Sequence, residues 1–127
     1  MIKREANFGT LFRHWLKANP LSHSCAFELK QTTSDSLPFS DVKEHQRDAL
    51  LTVETRHLLY KAPDDSRSVK PFDYFYLSNT KAYVVIRYPD CFCLISIYKF
   101  IREEMKSDRK SLTSVRAREI STTVVEL

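Results

Sequence analysis

The chain has 127 residues, 43% hydrophobic and 28% charged, and Lys plus Arg outnumber Asp plus Glu by 20 to 16, giving a net charge of +4. This size and balance predict one globular domain with a modest core, leave no room for a second full domain, and permit a polyanionic partner without demanding one. A single glycine, Gly9, excludes glycine-rich phosphate loops and the nucleotide cofactor such a loop would hold. No run of roughly 18 apolar residues predicts a membrane span, and the polar start Met1-Ile2-Lys3-Arg4-Glu5 leads into no signal-peptide core, so a soluble intracellular protein is expected.

Phe8, Leu11, Phe12, Trp15 and Leu16 recur at helical spacing up to Asn19-Pro20, which predicts an amphipathic helix over residues 4–18 with Arg4, Arg13, His14 and Lys17 on its outer face. Cys25 to Lys30 then reads as a strand. Its period of two places Glu28 and Lys30 on one face and Phe27 and Leu29 on the other. After a polar loop from Gln31 to Ser36, Phe39-Ser40-Asp41 is expected to open a helix with Ser40 or Asp41 as N-cap, and Val42, Ala49, Leu50 and Val53 supply its apolar stripe.

Strands are predicted at Leu58-Leu59-Tyr60, Phe72 to Leu77, Ala82 to Tyr88 and Phe92 to Ile97, with a turn at Pro63-Asp64-Asp65-Ser66 and a tight one at Pro89-Asp90. In the aromatic run Tyr74-Phe75-Tyr76 at least half of the rings are expected in the core, as is Trp15, with base stacking as the other use. A helix from Tyr98 to about Lys106 follows. Residues 1–108 are then the single folded domain, and 109–127 form a basic tail or arm carrying Arg109, Lys110, Arg116 and Arg118, in which Ile120 to Val125 is either an extra strand or a docking arm. The order of elements indicates a mixed α+β, or α/β, domain: a small mixed central sheet flanked by helices.

Two chemical features stand out. Cys25, Cys91 and Cys93 lack the second pair that a zinc site needs and read as buried thiols, and His14, His23 and His57 form no metal-binding spacing. Glu28-x-Lys30 sets a carboxylate and an ammonium side by side, which suits Mg²⁺ binding and charge stabilisation at a phosphate, although an exposed ion pair has the same pattern.

Phe27-Glu28-Leu29-Lys30, the polar loop, Leu37-Pro38-Phe39-Ser40, Val42, Lys43-Glu44-His45-Gln46 and Leu50 together resemble a segment of RecU-type Holliday-junction resolvases in the PD-(D/E)XK nuclease superfamily, over about residues 25–51. The resemblance implies a restriction-endonuclease-like fold and a Mg²⁺-dependent endodeoxyribonuclease of DNA recombination and repair, with Mn²⁺ able to substitute. It also implies branched DNA as substrate, a two-fold homodimer for paired cuts, and a cytoplasmic or nucleoid-associated location. Glu28 would then be a metal ligand, Lys30 the catalytic lysine, and Gln46 a helix residue reaching back to the site. Glu5 would be a further ligand, with Arg4, Arg13, Lys17, His45 and Lys70 on the DNA.

The acidic residue that normally precedes the E-x-K strand is missing from Leu16 to Ser24. Asp73, heading Asp73-Tyr74-Phe75-Tyr76-Leu77, resembles that motif in a displaced position and would complete a permuted site if its strand lay beside Glu28's. Asp64-Asp65, between Lys61 and Lys70, is a competing acidic pair with turn composition. The alternatives are a non-catalytic nuclease-fold module that binds DNA or a protein partner, and a structural protein unrelated to DNA.

Overall fold

The computed structural model describes residues 4–63 and 71–127. In chain order it forms α1 (Arg4–Ala18), β1 (Cys25–Gln31), β2 (Ser36–Pro38), a 3₁₀ turn (Phe39–Asp41), α2 (Glu44–Thr55), β3 (Leu58–Lys61), β4 (Tyr74–Leu77), β5 (Lys81–Tyr88) and β6 (Cys91–Ser96). It closes with α3 (Ile97–Lys106), β7 (Ser111–Thr113), α4 (Ser114–Ile120) and β8 (Thr123–Glu126). This is the mixed α+β architecture expected, built on a four-stranded sheet of order β1-β5-β6-β8. β1 runs parallel to β5, while β5/β6 and β6/β8 are antiparallel.

The β5–β6 hairpin is apolar on both faces, so both need cover. Val85, Phe92 and Leu94 face α1, where Phe8 and Phe12 are buried against them and Phe27, Leu29 and Trp15 complete the cluster. The rings meet edge-on: Phe12 to Phe27 at 4.9 Å between centroids, Trp15 to Phe92 at 5.5 Å. On the opposite face Val84, Ile86, Cys93 and Ile95 pack with Leu50 of α2, Ile97 and Phe100 of α3 and Ala117 of α4. Trp15 thus takes its expected place at the core.

Helix α2 starts later than the sequence predicts. Val42 is extended and buried, which breaks the helix after the 3₁₀ turn, and Lys43 rather than Ser40 or Asp41 is the N-cap. Arg47 then staples this corner: it donates to the Val42 carbonyl at 2.9 Å and the Phe39 carbonyl at 2.7 Å, pairs with Glu104 of α3, and lies over the Phe100 ring. A four-residue edge of the corner is therefore fixed by one guanidinium using several of its five donors.

Two expectations need correction. Residues 109–127 are not a tail or arm: β7 pairs with β2, α4 buries Ala117, and β8 is the fourth strand of the main sheet. Arg116 is held on Glu103 at 2.8 Å and Arg118 on Glu126 and on Asp90 at 3.3 Å, while Arg109 and Lys110 stay exposed ahead of β7. Tyr74, Phe75 and Tyr76 are all exposed rather than half in the core, because β4 pairs only with β3 in a separate two-stranded ribbon that nothing covers among the described residues. No helix among the described residues is long and apolar enough to cross a membrane.

Deleting residues 122–127 removes Val124 and Val125 from the core and uncovers β6. Urea unfolding should show a stability loss of about 2 kcal/mol from the two half-buried valines; an unchanged midpoint would restore the arm.

Candidate functional site

Glu28 and Lys30 lie where the alternation of β1 placed them, on one face of the sheet. Their strand neighbours in β5 are Val84 and Ile86, which belong to the core beneath α2, so both charged side chains point to the α2 side and are half-buried at the sheet's β1 edge. Among the described residues neither makes a hydrogen bond or an ion pair, with the other or with anything else. The simple surface ion pair is therefore absent. A carboxylate and an ammonium partly withdrawn from water and left without protein partners are available to an outside ligand.

Gln46 sits on α2, the helix over that face, but its side chain has a local task. Its Oε1 accepts the Lys43 backbone N–H at 2.9 Å, the N3-to-N-cap half of a capping box. His45 beside it is exposed. Arg13 and Lys17 are exposed on α1, the layer on the other side of the sheet from Glu28 and Lys30, and Arg13 donates to Thr10 at 3.4 Å. Arg4 and Glu5 fall in the first turn of α1 with side chains outside the description, and Asp64, Asp65 and Lys70 lie outside the described residues.

Asp73 does not reach Glu28 through adjacent strands. The strand beside Glu28 is β5, whereas Asp73 precedes β4, which pairs with β3; the Asp73 carbonyl accepts the Ala62 N–H at 2.6 Å. The described residues contain no group of three or more His, Cys, Asp or Glu placed to hold a metal. The oxygen chemistry of Glu28 fits one position of a Mg²⁺ shell, and strand pairing brings no second carboxylate beside it.

Several features carried no sequence signal. Arg47 orients α2 over the Glu28 face through contacts to α3 that are distant in sequence. Glu54, in the last turn of α2, has one buried carboxylate oxygen without a partner, and with Cys25 it adds to the burial that raises the Tyr83 hydroxyl pKa. The β3–β4 ribbon stacks His57 on Tyr76 and Tyr60 on Phe75, leaving Leu59 67% and Tyr76 62% exposed.

All three cysteines are free thiols; Cys91 and Cys93 are buried as expected, whereas Cys25, at the start of the edge strand β1, is half-buried. Cys91 and Cys93 are buried with sulfurs 3.9 Å apart, and burial, then the neighbouring Cys93, pushes the Cys91 thiol up to about 12. No protein-family model matches the chain, and no curated protein matches it.

Two measurements follow from this geometry. Gln46→Ala should lower the unfolding free energy by about 1 kcal/mol through the lost cap while Gln46→Glu, which keeps the acceptor, stays near the native value; equal stability of all three would remove the capping role. Cys91 holds its proton more tightly folded than unfolded, so the stability it lends is whole below pH 9 and is lost as pH rises toward about 12. Urea midpoints between pH 8 and 11 should fall less steeply for Cys91→Ala than for the native chain.

Proposed function

We propose that the chain is a metal-dependent DNA endonuclease that hydrolyses phosphodiester bonds, acting on branched DNA inside the cell as a two-fold dimer. The observation that carries this reading is the half-buried, unpartnered Glu28 and Lys30 side by side on one face of an edge strand. It fits the resemblance of residues 25–51 to junction resolvases, in which those two positions are the metal ligand and the catalytic lysine.

In this reading Glu28 is the first protein ligand of Mg²⁺, and Asp73 and Glu5 are the residues that would add a further oxygen. The bound ion would supply an acidified water and charge neutralisation at the scissile phosphate. Lys30 places its ammonium against a non-bridging phosphate oxygen, where it counters the charge that grows in the transition state. Partial burial strengthens that interaction by lowering the local dielectric. Gln46 contributes by fixing the start of α2 over this face, and Arg13 and Lys17 contribute phosphate contacts from the α1 layer.

A second reading is favoured by one specific observation, the pairing of Asp73's strand with β3 instead of β1. One carboxylate with a lysine makes a poor Mg²⁺ site, so the chain would bind DNA or a protein partner without cutting.

Cleavage of a labelled four-way junction and a matched duplex with Mg²⁺, Mn²⁺ or EDTA separates the two. Metal-dependent cutting is expected, reduced by at least about 100-fold in Glu28→Ala and in Lys30→Ala. Full activity of Asp73→Asn would exclude Asp73 as a ligand. Tight binding without cutting under all three conditions would establish the second reading.

A further inference from the structure

Among the described residues four arginines are half-buried, Arg47, Arg87, Arg116 and Arg118. Three place the guanidinium on carboxylates: Arg47 on Glu104, Arg116 on Glu103, and Arg118 on Glu126 and Asp90. Arg87 has no side-chain hydrogen bond or ion pair among the described residues. A guanidinium carries five donors and cannot shed its charge, so partial burial without an anion is unfavourable unless an external one supplies the missing acceptors.

Arg87 lines a polar cleft of about 270 Å³ formed by Asn7 at the start of α1, Gln31, Thr32 and Thr33 at the end of β1, and Arg87, Tyr88 and Pro89 at the end of β5. Because β1 and β5 are parallel, the cleft lies at the carboxyl ends of both strands. Among the described residues no Asp or Glu lines it. The Thr32 N–H closes its floor by donating to the Arg87 carbonyl at 3.0 Å, and the Thr32 hydroxyl is engaged with Ser36 at 2.9 Å. The Asn7 and Gln31 amides and the Thr33 hydroxyl remain uncommitted among the described residues. A cleft that sets one fork of charged donors beside three neutral donors is matched to a tetrahedral oxyanion.

We propose that this cleft binds a phosphate group, and that the phosphate belongs to the DNA backbone. The second part rests on the endonuclease reading: Gln31 follows Lys30 directly on β1, at a rise of about 3.3 Å per residue, so one strand passing over the end of this edge strand meets Lys30 and then Arg87. Arg87 binds and positions the substrate from the opposite face of the sheet and takes no part in the bond-breaking step.

The test uses the ¹⁵N-labelled full chain in EDTA, with the Arg87 side-chain N–H resonance identified by its loss in Arg87→Gln. A short duplex should shift that resonance, and Arg87→Gln should weaken duplex binding by about 10-fold with the salt slope reduced by about one, while Arg87→Lys falls between. A matching circular-dichroism spectrum and urea midpoint show that the variants fold. A shift with inorganic phosphate at the same concentration but not with duplex would overturn the backbone assignment in favour of a free anion. No shift with either, or native duplex affinity in Arg87→Gln, would overturn the site. A native chain that never cuts DNA yet shows the Arg87 response leaves the cleft standing and removes only the endonuclease reading.

Discussion

Burial of the β5–β6 hairpin on both faces is the constraint from which the rest of the architecture follows. Ala82, Val84, Val85, Ile86 and Tyr88 of β5 and all of Cys91 to Ile95 are withdrawn from water, so neither face of this pair can be left to solvent. α1 covers one side, and α2, α3 and α4 cover the other. Four helices cannot extend the same cover to every strand of the sheet, and β1 and β8, at its two edges, keep intermediate exposure along nearly their whole lengths. A charged pair can occupy β1 because β1 is an edge; the same two residues on β5 would be buried outright.

The edge position also sets the electrostatic character of Glu28 and Lys30. Full burial would oblige them to pair with each other or to shed charge, and full exposure would screen them to near irrelevance. Halfway between, each interacts more strongly with an incoming ion or phosphate than a fully exposed group would. α2 defines the roof over this face, and its placement depends on Arg47, which ties the 3₁₀ turn, the helix and α3 together through one side chain.

What the sequence discloses divides along the line between local and non-local physics. The faces of β1 follow from alternation alone, and the strands at 81–88 and 91–96 follow from runs of aromatic and β-branched residues around Pro89-Asp90. The N-cap of α2 departs from the sequence expectation because a buried Val42, a tertiary fact, overrides the local capping preference of Ser40 and Asp41. The C-terminal segment reads as a tail because its arginines form a basic run; their carboxylate partners become neighbours only in the fold, Glu103 when α4 packs beside α3 and Glu126 when β8 joins the sheet. Asp73 shows the same limit. Its motif is local, but which strand β4 pairs with is settled by the whole fold, and Tyr74 to Leu77 chose β3.

Internal pairing also changes how the net charge of +4 should be understood. Arg47, Arg116 and Arg118 are held on Glu104, Glu103 and Glu126, so these three guanidiniums add little to the outer field, whereas Lys99, Arg102, Lys106, Arg109 and Lys110 have no carboxylate partner among the described residues. The cations that no carboxylate claims among the described residues include Arg13 and Lys17 on the α1 layer, Lys30 on the β1 edge and Arg87 at the end of β5. These four come from α1 and from the parallel pair β1 and β5, and β1 also carries Glu28, half-buried at the sheet edge. A polyanion is drawn both to the β1 side of the sheet and to the exposed cations of α3, and the β1 side differs in that Lys30 and Arg87 are half-buried there, where a lower local dielectric strengthens their attraction.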